Sequence, residues 1–228
     1  MAFPAARQAV ILPGLAVVAA AVDVVSYLGL GHVFTANMTG NTALLGIGIA
    51  TGKTAAALRS ACALGAFVAG AVAGGLFPSG RRLLASCLAL ELLPLAAWYL
   101  WWEAHGGPAH GAPRYGYIAL AGVAMGLQGA AVTRLGVSGV TTVFITGTIM
   151  SFTVGLSTRL HGDRLPNQSR LGHVLQALVI VFFLLGALAA AFVFKHEGAR
   201  AVLIPLAVLA VLVPAASVLP PADAAGRG

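Results

Sequence analysis

Charged residues are scarce in this chain. Of its 228 residues, 13 are Lys or Arg and 6 are Asp or Glu, which together make 8%, whereas a soluble domain usually has about 25%. With so few charges, a soluble fold of this size could not cover its surface without large apolar patches. The composition therefore excludes a soluble enzyme, a nucleic-acid-binding domain and a disordered chain.

Cysteine and catalytic motifs are equally sparse. Cys62 and Cys87 both lie inside apolar runs, with no CxxC motif or Cys/His cluster, which argues against a disulfide framework or a metal site. The six histidines form no HExxH motif, and no GxSxG motif is present. We therefore predict that the chain is not an enzyme and has no catalytic residues, no bound metal and no cofactor.

What the chain has in abundance is apolar residues, which make up 59% of it. The first long apolar run covers residues 8–52 and contains a single charged residue, Asp23. As one helix it would be roughly 67 Å long at ~1.5 Å per residue, which suits two membrane segments better than one. The glycine-rich stretch at residues 29–32 is the natural turn between them.

The same reasoning divides the whole chain into membrane segments. We predict an all-α, polytopic transmembrane helix bundle with six to eight segments, forming a single domain over residues 1–228. The first repeat covers about residues 8–102, the linker 103–114, the second repeat 115–218 and the tail 219–228. The segments lie at residues 9–30, 33–51, 56–77, 83–102, 115–135, 139–158, 173–194 and 201–218. The aromatic cluster at residues 98–102 is typical of an interfacial belt.

The two halves of the chain resemble each other. Each begins with a double apolar run divided by glycines, and Thr39-Gly40 in segment 2 corresponds to Thr146-Gly147 in segment 6. We expect an internal two-fold repeat with segments 2 and 6 broken at these Thr-Gly pairs. If the two segments cross the membrane, each half has four spans and the repeat is parallel; if they turn back, it has three and the repeat is inverted. Either topology puts eight Lys and Arg inside and five outside, with the N-terminus inside.

Polar residues within the apolar runs are the candidate site. Asp23 is expected to act as a proton or cation relay or solute ligand, or else to hold helices together by hydrogen bonds, because an isolated charge in the membrane is costly. Glu91 presents the same choice. Arg134 is expected either to pair with one of these two acids or to lie at the membrane interface as a snorkelling arginine. Gln128 is expected to make an interhelical hydrogen bond.

Broken segments 2 and 6 would place helix ends near the membrane midplane, where helix N-termini attract anions and unwound carbonyls coordinate cations. Close packing of small residues is the alternative explanation of the same pattern. The substrate- or ion-binding residues predicted on these grounds are Asp23, Asn37, Thr39, Gly40, Asn41, Glu91, Gln128, Arg134, Thr146 and Gly147.

The stretch from Asp23 to Gly46, with Asn-Met-Thr-Gly-Asn at residues 37–41, resembles the opening of the YoaK-like family of bacterial inner-membrane proteins. Residues 126–136, followed by Thr146-Gly147, resemble that family's downstream motif, although Asn is expected where this chain has Gly129. The resemblance covers nearly the whole chain. It implies a single polytopic membrane domain, and as a domain-of-unknown-function family it assigns no activity, substrate or cofactor.

Two functions follow as hypotheses. The first is a small secondary transporter or permease with a midplane site at the two Thr-Gly breaks; the alternative is a structural, assembly or regulatory membrane protein without transport activity. The expected partners are the lipid bilayer and a small solute, proton or cation, with no nucleic acid and with a homo-oligomer left open. The expected location is the bacterial inner membrane, with several spans and a cytoplasmic N-terminus.

Overall fold

The described part of the chain is helical. A computed structural model describes residues 5–77, 83–106, 111–135, 145–160 and 170–217, and it contains no β-strand within them. Its elements are α1 (Ala5–Gly29), α2 (Met38–Ala50), α3 (Thr54–Leu76), α4 (Leu83–His105), α5 (Ala112–Leu135), α6 (Ile145–Leu160), α7 (Arg170–Glu197), the 3-10 helix η1 (Gly198–Val202) and α8 (Leu203–Ser217).

Most of these helices are long and apolar enough to cross a bilayer. In the described residues, five stretches meet that criterion: Ala9–Gly29, Thr54–Leu76, Leu84–His105, Ala112–Thr133 and Arg170–Ser217. The last of them contains both α7 and α8, joined by η1. The polytopic helix bundle predicted from the sequence is therefore confirmed. α2 is different, because its 13 residues extend only about 20 Å against a hydrocarbon thickness of about 30 Å.

Segment 2 is broken earlier than the sequence suggested. The chain leaves α1 after Gly29 and stays non-helical until Met38, so Thr39 and Gly40 lie in the first turn of α2 rather than at the break. Thr146 and Gly147 occupy the same place in the first turn of α6. The glycine turn at residues 136–139, the middle of the linker, the loop 161–169 and the tail lie outside the described residues.

The direction of each helix follows from which residues meet. α1 and α5 are antiparallel, because Gln128 Nε2 donates to the Leu15 carbonyl at 3.0 Å while Trp102 lies against both Gly29 and Tyr117. The remaining long helices can be placed relative to this pair.

α3 and α7 each run parallel to the first helix of the other half. On α3, Ala66 lies against Gly122 and Gly74 lies further along against Ala130, both on α5. On α7, Gly186 lies against Val17 and Phe194 lies further along against Gly29, both on α1. α8 returns beside α1, since Leu212 packs against Gly14.

α2 therefore begins and ends at the same side of the bundle. Gly31, just after α1, lies close to the guanidinium groups of Arg59 near the start of α3 and Arg114 near the start of α5. Because α1 ends where α3 begins, residues 30–53 enter the bundle and return. α6 starts level with the middle of α7, and its Phe152 stacks near His173, close to the start of α7, with ring centroids 5.5 Å apart.

Two rings of the aromatic cluster that was predicted as an interfacial belt are used for packing between helices. Trp98 and Trp102 are buried in the main core. Trp102 contacts Tyr117 and Phe194 at centroid distances of 5.6 and 6.4 Å. These rings fill the space where the ends of α1, α4 and α7 meet the start of α5, so their apolar area is used for packing between helices.

Candidate functional site

Asp23 lies on α1 and is bound to the segment that follows it. One carboxylate oxygen, Oδ1, accepts the backbone N–H groups of Thr35 at 2.7 Å and Ala36 at 2.6 Å, and Oδ2 accepts that of Asn37 at 3.1 Å. The side chain is only 6% exposed. Hydrogen bonds to a carboxylate are stronger than neutral ones, so this residue fixes the non-helical residues 30–37 against α1.

Local chemistry explains how the chain reverses at this point. Gly31 and His32 have φ angles of +89° and +62°, the left-handed region that glycine adopts at little cost. Asn41, fully buried on α2, then holds the segment with two bonds: its Nδ2 donates to the Phe34 carbonyl at 2.6 Å, and its Oδ1 accepts the Phe34 N–H at 3.1 Å. The returning segment thus has backbone groups satisfied inside the bundle, as a membrane environment requires.

A cavity of about 480 Å³ opens beside Asp23, where the first turns of α2 and α6 meet α1 and α7. Its volume lies within the usual range for small-molecule sites. Four of the predicted site residues line it: Asp23, Asn37, Thr39 and Thr146. The other lining residues are Ala20, Val24, Tyr27, Leu28, Phe34, Ile145, Phe183 and Ala191.

The cavity combines an apolar wall with a few polar groups. Tyr27 and Phe34 stack at a centroid distance of 5.0 Å on one side, and Phe183 contributes from α7. Asn37 caps α2 by accepting the Gly40 N–H at 3.1 Å. Asp23 is already engaged by three backbone groups, so the lining combines an apolar and aromatic wall with the polar groups of Asn37, Thr39 and Thr146.

The other predicted residues lie at different places. Gly40 and Asn41 are on the first turn of α2, and Gly147 is on the first turn of α6; none of the three is among the cavity-lining residues. Gln128 makes the interhelical bond to α1 described above. Glu91 is fully buried on α4, outside the set of cavity-lining residues. The side chain of Arg134 lies outside the described residues.

Sequence reasoning missed the aromatic wall. Tyr27 and Phe34 flank the glycine turn at residues 29–32, and their position around it was an available signal. No signal in the sequence marks Phe183, because it is one aromatic residue within a long apolar helix. Among the described residues, no group of three His, Cys, Asp or Glu side chains could hold a metal ion.

Comparison with known proteins places this fold in context. A family model described as "Protein of unknown function (DUF1275)" matches residues 11–215. The "UPF0700 transmembrane protein YoaK" of Bacillus subtilis (strain 168) is 33% identical over 192 residues, which cover 81% of this chain and 83% of that protein. No solved structure matches the chain.

Proposed function

We propose that this chain, which belongs to the DUF1275 family, is a small secondary transporter or permease rather than an enzyme. The observation that carries the proposal is the cavity at which two short helices, α2 and α6, begin beside a buried carboxylate. Sites of this kind, near the midplane and formed by discontinuous helices, are common in secondary transporters. Asn37, Thr39 and Thr146 supply the hydrogen-bonding groups, and Asp23 holds the wall in place or receives a proton or cation.

We further propose that the two halves of the chain form an inverted repeat. In this repeat α1, α3 and α4 of the first half correspond to α5, α7 and α8 of the second. α3 packs against α5 as α7 packs against α1, and α4 packs against α5 as α8 packs against α1. The close contacts agree, since Gly70 packs against Val123 while Gly186 packs against Val17. The two halves run in opposite directions, so α2 and α6 approach the cavity from opposite sides. Inverted repeats of this type allow one half to move against the other around a fixed site.

The proposed orientation is N-terminus cytoplasmic in a bacterial inner membrane. The helix directions place four parts of the chain on one side of the bundle: the N-terminus, the α3–α4 connection, both ends of the segment containing α6, and the end of α8. Together with the tail that follows α8, these parts of the chain hold eight of the 13 Lys and Arg residues, and the opposite side holds five. By the positive-inside rule the first side is cytoplasmic. The lipid bilayer and a small solute are the proposed partners; nothing favours nucleic acid.

A transport assay can test the proposal without a known solute. Purified protein in proteoliposomes is exposed to an isotope-labelled extract of bacterial metabolites, and retained solutes are identified by mass spectrometry. We expect at least one solute to be retained above the level of protein-free liposomes. The double variant Thr39→Val and Thr146→Val should lower its uptake about tenfold, because each lost hydrogen bond is worth roughly 0.5–1.5 kcal/mol.

Thr153→Val is the matched control for that variant. Thr153 is also on α6 and is exposed, but its hydroxyl donates to the Ile149 carbonyl of its own helix at 2.9 Å. Removing this hydroxyl should therefore leave solute uptake unchanged. Equal loss in the control, or no retained solute at all, would contradict a transport site at the cavity.

The second candidate is a structural or assembly protein. The observation that favours it is the full engagement of Asp23 by three backbone N–H groups, which gives that residue a structural role without any solute. Under this alternative the cavity is a packing feature, and neither wild-type protein nor variants retain solute in the same assay.

A further inference from the structure

Glu91 is the second acidic residue inside the bundle, and its surroundings are the opposite of those of Asp23. It is fully buried on α4, yet neither carboxyl oxygen has a hydrogen-bond partner among the described residues. Asp23 has three. Asp23 is therefore held by three hydrogen-bond donors, whereas Glu91 has no donor among the described residues.

The energetics of burial decide the state of Glu91 in this conformation. An ionised carboxylate without a partner is among the most costly groups to bury, and such groups neutralise instead. Even a neutral acid without a partner is unfavourable to bury, because it loses its hydrogen bonds to water and gains none in return. We therefore expect Glu91 to lower the stability of the fold, and packing offers no reason for an acid at this position.

The elements packed against α4 offer no fixed partner at its middle. α4 packs mainly against α5, α8 and η1. Its last turn also meets the ends of α1 and α7, where Trp102 lies against Gly29 and Phe194, well away from the middle of α4. α8 contains no titratable residue, and η1 contains only Arg200, which is paired with Glu197 at 2.7 Å. The titratable residues of α5 are in its first two turns or its last turn, away from its middle: Arg114, Tyr115, Tyr117 and Arg134.

Two features bear on proton exchange at Glu91. Pro94 lies in the following turn of α4 and removes the backbone bond to the Leu90 carbonyl, so α4 is least tightly bonded at the turn that holds Glu91. Two further buried polar atoms have no partner in the described residues: Trp98 Nε1, about two turns after Glu91 on α4, and Tyr117 Oη on α5.

We propose that Glu91 is a proton-binding site, neutral in this conformation and able to exchange its proton when α4 opens at Pro94. Its use as the group that couples solute movement to a proton gradient rests on the proposed transport function. The proton-binding site itself does not, and it can be tested without any solute.

Infrared spectroscopy of the protein in liposomes tests the site directly. At neutral pH we expect the carbonyl stretching band of a protonated carboxylic acid, and this band should shift in heavy water as its proton exchanges. It should vanish in Glu91→Gln and persist in Asp23→Asn. A missing band, a band that survives Glu91→Gln, or a band that never shifts in heavy water would each overturn the proposal.

Thermal unfolding separates this role from a structural one and covers the case in which Glu91→Gln folds poorly. Glu91→Met removes the unpaired group while keeping an apolar side chain of similar length, so the unfolding midpoint should rise by about 2–4 °C. A fall of the midpoint would show that the carboxyl stabilises the fold and would overturn the proposal.

The coupling role has its own outcome. Wild-type proteoliposomes with an imposed pH gradient should accumulate the retained solute from the labelled extract, whereas Glu91→Gln should only equilibrate it. If uptake by the wild-type protein did not depend on the pH gradient, coupling through Glu91 would be contradicted, while the transport function itself would remain supported. Absence of uptake together with a normal infrared result would contradict transport and leave the proton site standing.

Discussion

Asp23 shows how one residue can organise a membrane fold. An acid in the middle of an apolar run must find partners, because the bilayer offers none. Here the partners are the N–H groups of Thr35, Ala36 and Asn37, which have left the helical pattern and would otherwise be unsatisfied. The same carboxylate also borders the cavity, so the residue that stabilises the broken segment also faces the proposed solute.

Replacing Asp23 tests how much its hydrogen bonds contribute to the stability of the fold. Asp23→Asn offers a single acceptor oxygen, and its amide group would face the Asn37 N–H. Since hydrogen bonds to a charged group are worth about 1.5–3 kcal/mol each, we expect a loss of about 2 kcal/mol for Asn and more for Asp23→Ala, measured by thermal unfolding in detergent.

Glu197→Gln is the comparison for this change. Glu197 pairs with Arg200, but both side chains are more than half exposed, and such pairs contribute little. The expected midpoint is that of wild-type protein. If Asp23→Asn proved as mild as Glu197→Gln, the three backbone bonds would not be holding residues 30–37 in place.

At the scale of elements, the sequence predicted helices well and their interruption poorly. α1, α3, α4, α5, α7 and α8 coincide with the predicted segments within a few residues at most ends, because long apolar runs bounded by charges have few alternatives in a membrane. The turn predicted at residues 29–32 is present, but the break predicted at Thr39-Gly40 is not. The non-helical stretch instead continues to residue 37, because it is held by a carboxylate 12 to 14 residues away, and a linear pattern does not reveal that partner.

Packing of α3 against α5 makes a second prediction. A Cβ at Gly70 would collide with the Val123 carbonyl, whereas one at Gly65 on the same helix would meet nothing within 4 Å. Gly70→Ala should therefore force the helices apart and cost about 1–3 kcal/mol. Gly65→Ala should be neutral or stabilise by up to about 1 kcal/mol, because alanine favours the helix.

Thermal unfolding of both variants in the same detergent gives the comparison. Equal midpoints for the two would mean that the close approach of α3 and α5 does not contribute to stability. A lower midpoint for Gly65→Ala would contradict its open surroundings.

At the scale of the whole molecule, the candidate site was only partly predictable. Asp23, Asn37, Thr39 and Thr146 were chosen as polar residues in apolar segments, and they line one cavity. Phe183 could not be predicted, because one aromatic residue in a long apolar helix gives no sign of which face it occupies. Tyr27 differs, since its position beside the glycine turn is a signal in the sequence. Glu91 was chosen by the same polarity rule and lies elsewhere, since polarity identifies residues that need partners and not the place where they meet.

The path of α2 gives the last prediction and separates the two topologies. Because α1 ends beside the start of α3, Thr51 lies on the side opposite the N-terminus, whereas Ser217 at the end of α8 lies on the N-terminal side. Both residues are exposed. In a background without Cys62 and Cys87, Thr51→Cys and Ser217→Cys should react with a membrane-impermeant maleimide from opposite sides, measured in right-side-out and inverted vesicles. If α2 and α6 both crossed the membrane, both cysteines would react from the same side and the repeat would be parallel. The two short helices could then not approach the cavity from opposite faces.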